Sequence, residues 1–208
     1  MGRVSRVQAE KNRERVVETA SRLLREQGTQ VSVAELMKAA GLTHGGFYKQ
    51  FASKEALVDE AIAHAFAELA RHHTATAGRH PDEPTSTRNA VIDTYLSPGH
   101  RDAPGAGCPV AALAVDMARE PGNEEAHRVY AEGVTRFAAL LETAGKDGLT
   151  QLSTLVGALL LARATSGTAL SDQLLSAARA DLAGIGPGSG TASPTGQPGL
   201  GRSGTAAG

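Results

Sequence analysis

One stretch of the sequence decides the fold: residues 32–54 read SVAELMKAAGLTHGGFYKQFASK. Ser32 is followed three residues later by Glu35, a capping-box spacing that predicts the start of a helix. A short break at 41–43 contains glycine, and a second helical pattern then runs to about Phe51. Two helices joined by a short turn that contains glycine have the arrangement of a helix-turn-helix, whose second helix lies against DNA.

The second helix of this motif has one apolar face and one unusual outward face. At about 100° per residue, Phe47 and Phe51 fall on the same side, so the two rings predict the buried face. The outward face combines open backbone with two hydrogen-bond donors: Gly45, Gly46, Tyr48 and Lys49. Glycines let a backbone approach a groove closely, and the lysine and tyrosine suit base edges and phosphates. The pattern favours DNA contact; the alternative is a glycine-weakened helix with a half-packed tyrosine.

Charge is distributed unevenly along the 208 residues. Residues 1–54 contain ten Lys or Arg and five Asp or Glu, whereas the remainder contains eleven basic and seventeen acidic residues. A basic N-terminal quarter on an acidic remainder is typical of a protein whose first part meets a polyanion. Charge alone is equally compatible with a chance unevenness of solvated side chains.

The stretch from Arg13 to Ile62 resembles the DNA-binding domain of the TetR family of transcriptional repressors. The resemblance is strongest over residues 40–57, AGLTHGGFYKQFASKEAL, which follow the recognition-helix pattern of that family, although Gly45-Gly46 replaces the usual Gly-Thr pair. It implies that Phe47 and Phe51 hold the helix in place. The DNA-contacting positions that we expect, from the resemblance and from the outward face together, are Ser32, Thr43, His44, Gly45, Gly46, Tyr48, Lys49 and Lys54.

Helical patterns separated by Gly and Pro predict an all-α fold, with an N-terminal three-helix helix-turn-helix domain and a C-terminal helical domain for ligand binding and dimerisation. Outside the motif, the predicted helices span about 12–27, 54–72, 87–97, 109–119, 123–144, 149–166 and 169–183. We expect four parts: a flexible basic arm (1–11), the helix-turn-helix domain (12–60), a regulatory and dimerisation domain (61–185) and a disordered tail (186–208). The tail is rich in Gly and Pro and has too few apolar residues to become ordered.

Two features indicate the role of the C-terminal part. Residues 105–120, GAGCPVAALAVDMARE, are similar to a segment in the branch of the TetR family that includes flavonoid-responsive and electrophile-responsive repressors. The resemblance also implies that the last two helices form a four-helix bundle with their copies in a second subunit. The helix at about 149–166 supports this independently, because it is apolar around much of its circumference. The residues that make it so are Leu152, Leu155, Val156, Leu159 and Leu160.

Cys108 is the one cysteine and a candidate sensor. It directly precedes Pro109, a residue type favoured at the first position of a helix, and a thiol at a helix N-terminus has a lowered pKa and raised reactivity. The alternative is a small, half-buried residue at a Gly-rich corner. The adjacent His72 and His73 face apart on a helix, so we predict no metal site, and no nucleophile motif indicates an enzyme.

These observations predict a homodimeric repressor of double-stranded operator DNA that a small-molecule effector releases, with no cofactor. A ligand-binding protein or a thiol-based electrophile sensor on the same fold is the alternative. The polar N-terminus predicts no secretory signal, and no apolar run approaches the ~20 residues that span a bilayer. Together with the single cysteine, this predicts a cytoplasmic protein with no membrane partner.

Overall fold

The structure, a computed structural model, describes residues 6–79, 84–119 and 123–184. Within these ranges every regular element is helical, and the one extended pairing is an isolated bridge between Thr143 and Lys146. The all-α prediction is confirmed. The α-helices are α1 (Arg6–Gln27), α2 (Val33–Ala39), α3 (Lys54–Ala77), α4 (Pro84–Tyr95), α5 (Pro98–Asp102), α6 (Pro109–Arg119), α7 (Glu124–Leu141), α8 (Gly148–Ala164) and α9 (Ala169–Ala183). The 3-10 helices are η1 (His44–Lys49) and η2 (Pro104–Ala106).

The first helix begins earlier than the sequence predicts. The flexible arm expected at 1–11 is wrong for residues 6–11, which form the first turns of α1. These residues, RVQAEK, include strong helix formers and no Gly or Pro, and Gln8 donates a hydrogen bond to Asn12 one turn later. Residues 1–5 lie outside the described residues, as do residues 186–208, where the disordered tail is predicted.

Other differences from the predicted pattern include those in η1, α3 and α5. η1 has 3-10 rather than α geometry, in line with the low helix propensity of its two glycines. α3 continues to Ala77, beyond the predicted end near residue 72. α5 forms at a predicted break, because Ser97 caps its N-terminus by accepting a hydrogen bond from the His100 N–H and Pro98 lies in its first turn.

α3 connects the N-terminal helices to the C-terminal ones. Its first half buries Leu57 and Ile62, and its second half buries Phe66, whose ring lies edge-on to that of Tyr130 in α7. The buried apolar residues form one core that includes residues from every named α-helix except α5. The boundary predicted at residues 60–61 falls inside α3, and it stays a prediction.

Candidate nucleic-acid interface

The start of α2 is fixed by the capping box that the sequence predicts. Ser32 Oγ accepts a hydrogen bond from the Glu35 N–H at 3.2 Å, and a Glu35 carboxylate oxygen accepts one from the Ser32 N–H at 2.9 Å. The Ser32 hydroxyl also donates to this carboxylate at 2.7 Å, and this bond, together with the one from the Ser32 N–H, holds the pKa of Glu35 below its usual value. Ser32 is exposed, so the cap fixes a helix N-terminus that is open to solvent.

A tight turn connects α2 to η1. Gly41 has a φ of +70°, a left-handed conformation that favours glycine, and the Leu42 N–H donates to the Met37 carbonyl oxygen at 2.9 Å. Thr43 precedes η1 without a side-chain cap hydrogen bond. The turn therefore leaves both Thr43 and His44 exposed.

The buried face of η1 agrees with the prediction. Phe47 is fully buried, and its ring stacks on that of Phe51 with centroids 5.5 Å apart. The Arg13 guanidinium of α1 lies 4.8 Å from the Phe51 ring centroid and forms an ion pair with Glu60 of α3. Sequence patterns did not indicate a role for this cation, because its partners are distant in sequence. Arg13 therefore links the Phe51 ring, just after η1, to both α1 and α3.

The outward face of η1 is open to solvent. Tyr48 is 69% exposed, and Lys49 is also exposed. A Cβ atom added to Gly45 would have no neighbour within 4 Å, whereas one added to half-buried Gly46 would lie 3.7 Å from Met37. One short segment therefore presents open backbone, a phenol and an ammonium group to solvent. The two buried phenylalanines hold this segment in place.

Lys54 makes a bond within the protein. Its Nζ donates a hydrogen bond to the Thr29 carbonyl oxygen at 2.8 Å, and the residue is only partly exposed. The bond ties the start of α3 to the loop between α1 and α2. A contact with DNA would have to use the remaining N–H groups of this ammonium or break the bond to Thr29.

Cys108 is buried rather than open at a helix N-terminus. The residue is 2% exposed, and burial raises the pKa of its thiol. The predicted lowering of this pKa is therefore wrong, because desolvation of the thiolate outweighs the hydrogen bonds at the start of α6. The Cys108 N–H donates to His100 Nε2 at 3.0 Å, while His100 Nδ1 lies 2.7 Å from the Tyr95 carbonyl oxygen. These contacts fit a neutral imidazole with its proton on Nδ1.

A cavity of about 320 Å³ lies beside Cys108, between α1, α3, α4 and η2. Its wall includes apolar residues such as Leu69 and Val91 and the ion pair between Arg25 and Glu68, whose atoms are 2.7 Å apart. The volume falls at the lower end of the roughly 300–1,000 Å³ found for small-molecule sites. The cavity is thus large enough for a small organic ligand.

His72 and His73 also line this cavity. His73 stacks against Phe137 with centroids 4.7 Å apart, and burial lowers its pKa to about 4. Among the described residues, no group of three or more His, Cys, Asp or Glu side chains could hold a metal ion. In the same parts of the chain, no helix combines the length and the apolar character needed to cross a membrane.

The chain is similar to known bacterial transcriptional regulators. The model for "Bacterial regulatory proteins, tetR family" matches residues 16–61, which include α2, η1 and the start of α3. An uncharacterized HTH-type transcriptional regulator of Mycobacterium tuberculosis is 30% identical over 175 residues, covering 73% of this chain and 84% of the relative. The reduced form of Escherichia coli NemR superposes with a TM-score of 0.70 at 21% identity, covering 84% of this chain and 96% of that one. A TetR regulator from Chloroflexus aurantiacus superposes with a TM-score of 0.67 at 20% identity, covering 85% and 94%.

Proposed function

The chain belongs to the tetR family of bacterial regulatory proteins and is a DNA-binding transcriptional regulator; we propose that it is a homodimeric repressor that a small-molecule effector releases from operator DNA. The outward face of η1 is the observation that carries the proposal. Tyr48 and Lys49 are exposed there, while the buried Phe47 side chain holds the segment against the core. Such a segment can enter a major groove without reorganisation of its own core.

Each proposed contact has a role that follows from its place. Lys49 reaches a base edge or a phosphate, and the Tyr48 hydroxyl binds a phosphate oxygen. Gly45 and Gly46 let the backbone approach the DNA, although Gly46 is partly covered by Met37. The remaining proposed contacts flank this centre: Ser32 at the start of α2, Thr43 and His44 before the glycines, and Lys54 at the start of α3.

The proposed dimer interface is the outer face of α8 and α9. Leu155 and Leu159, which the sequence analysis counted in the apolar circumference of α8, are fully buried within the protomer. Other leucines remain for a partner, because Leu149 and Leu161 are 58% and 55% exposed. A Cβ atom added to Gly157, between them in sequence, would have no neighbour within 4 Å. Small residues flanked by leucines suit close helix packing, so a second copy of the same two helices fits this face.

The effector proposal rests on the cavity beside Cys108. The similarity of residues 105–120 to the flavonoid- and electrophile-responsive branch supports a small organic effector. A thiol-based sensor is less favoured, because burial raises the pKa of Cys108 and keeps reagents away from it. In this proposal residues 12–60 bind DNA, residues 61–185 bind effector and partner, and the protein acts in the cytoplasm, where its DNA lies.

Footprinting of the purified protein on genomic DNA tests the proposal. We expect protected sites in promoters, with two half-sites related by a two-fold axis and spaced by about one helical turn, 10–10.5 base pairs. Protection without sequence preference, or of single half-sites only, would contradict a dimeric operator-binding repressor.

A further inference from the structure

The cavity beside Cys108 lies where the last turn of α1 meets the C-terminal helices. Arg25, from that last turn, forms part of its wall together with Glu68 of α3 and Gly107 of the loop before α6. The helix that supports the DNA-binding segment therefore contributes a side chain directly to the cavity. A ligand that binds at the Arg25 side of the cavity therefore touches α1.

Among the described residues, the cavity wall has more cationic than anionic groups. The formally charged side chains of these residues are those of Arg25, Arg79 and Glu68. Arg79 donates to the Thr76 hydroxyl, and among the described residues no carboxylate forms an ion pair with it. Since burial lowers the pKa of His73 to about 4, its imidazole is neutral at physiological pH, and the described part of the wall has two guanidinium groups for one carboxylate. This balance favours a ligand with a negative charge.

Arg25 is the group best placed to bind such a ligand. Its side chain is 7% exposed and donates three hydrogen bonds, to the Ser21 carbonyl, the Gly107 carbonyl and the Glu68 carboxylate. A guanidinium has five N–H donors, so two remain without a partner among the described residues. The bond to Glu68 uses a single carboxylate oxygen, which is weaker than the two-oxygen contact that a guanidinium can make.

We propose that the cavity takes a small organic carboxylate, which binds the Arg25 guanidinium in competition with Glu68. The inference rests on the proposed function, because it names the chemical class of the effector. Binding at Arg25 would reach the DNA-binding segment through α1. Arg25 adjoins Glu26, and a Cβ atom at Gly105 would lie only 2.2 Å from a Glu26 carboxylate oxygen, so α1 and η2 are in close contact. A ligand that draws Arg25 from Glu68 displaces the end of α1 against α3.

Two ion pairs between α1 and α3 provide a matched comparison. Arg25–Glu68 lines the cavity, whereas Arg13–Glu60 lies near η1 outside it. Glu68→Gln removes the competing carboxylate, so carboxylate ligands should bind more tightly to this variant. Glu60→Gln removes a carboxylate of the same kind from the same helix and should leave ligand affinity unchanged.

The test is calorimetric titration of the DNA-free protein with three probes, benzoate, 2-naphthoate and hexanoate, each against its neutral carboxamide. We expect at least one carboxylate to bind about tenfold more tightly than its amide, as a charge-assisted hydrogen bond predicts. We expect Glu68→Gln to raise carboxylate affinity by roughly threefold to tenfold without changing amide affinity. Amides that bind as well as carboxylates, or three carboxylates that do not bind, would overturn the proposal.

A measurement on the wild-type protein keeps the test decisive if Glu68→Gln does not fold. In ¹⁵N-labelled protein, the Nε–H signal of Arg25 should shift on titration with the tightest carboxylate, while that of Arg13 should not. Shifts of equal size at both arginines, or none at Arg25, would place the ligand elsewhere. Because no DNA is present in either experiment, failure of operator binding is observed separately, by footprinting.

Discussion

Truncation of Phe47 to alanine should unfold the DNA-binding part of the chain, with a magnitude that the structure sets. Phe47 is fully buried, with ring centroids 5.5 Å from Phe51 and 5.1 Å from Tyr48. A buried phenylalanine covers roughly 150–250 Å², and at about 25 cal/mol per Å² this corresponds to about 4–6 kcal/mol. Residual burial in the unfolded chain lowers the expected loss to about 3–5 kcal/mol.

The assay is urea unfolding followed by circular dichroism, at one fixed protein concentration because dimerisation contributes to stability. Tyr48→Ala is the matched control. This neighbouring aromatic residue is 69% exposed, so its loss should change the free energy of unfolding by less than about 1 kcal/mol. If Phe47→Ala unfolds at the wild-type urea concentration, or if Tyr48→Ala is the more damaging change, the buried and outward faces of η1 have been assigned the wrong way round.

The remaining predictions concern the C-terminal part. The double variant Leu149→Glu, Leu161→Glu should sediment as a folded monomer, because both side chains are exposed in the protomer. The control Leu155→Glu should instead unfold the protomer, because Leu155 is fully buried. If the double variant remains a folded dimer, the interface lies elsewhere. Cys108 should react with a maleimide more slowly than free cysteine at neutral pH, because burial raises its pKa, and reaction as fast as free cysteine would refute its burial. The free energy of unfolding should fall as the pH is lowered from about 6.5 towards about 4. In the folded protein the pKa of His73 is lowered to about 4, so over this range the unfolded chain binds a proton at this histidine and the folded chain does not. Comparison of wild type and His73→Phe by thermal melting isolates this effect, and an identical pH dependence in the variant would exclude it.

Local spacing was sufficient to predict the helix-turn-helix segment. The Ser32–Glu35 capping box and the burial of Phe47 and Phe51 depend on residues within one or two turns of each other, so periodicity and capping rules predict them. The 3-10 geometry of η1 was missed, since helical periodicity does not specify which helix forms around Gly45-Gly46.

Features that depend on distant contacts could not be predicted in this way. The Arg25–Glu68 pair joins side chains 43 positions apart, and the Lys54 bond to Thr29 spans 25. Hydropathy identified α8 as apolar but could not separate leucines buried in the protomer, such as Leu155, from those left for a partner. For Cys108, position at a helix start predicted a lowered pKa, yet burial, which depends on the whole fold, has the larger effect.

The salt dependence of operator binding by Lys49→Ala tests the central claim, that the outward face of η1 contacts DNA. The measurement is fluorescence anisotropy with a labelled operator fragment from the footprint, between about 50 and 200 mM salt. A lost phosphate contact lowers the slope of log affinity against log salt by about 0.9, so the two copies in a dimer should lower it by about 1.8 while affinity falls. The control is Arg136→Ala, an exposed cation on α7, which should match wild type. An affinity and slope for Lys49→Ala equal to those of wild type would contradict the claim.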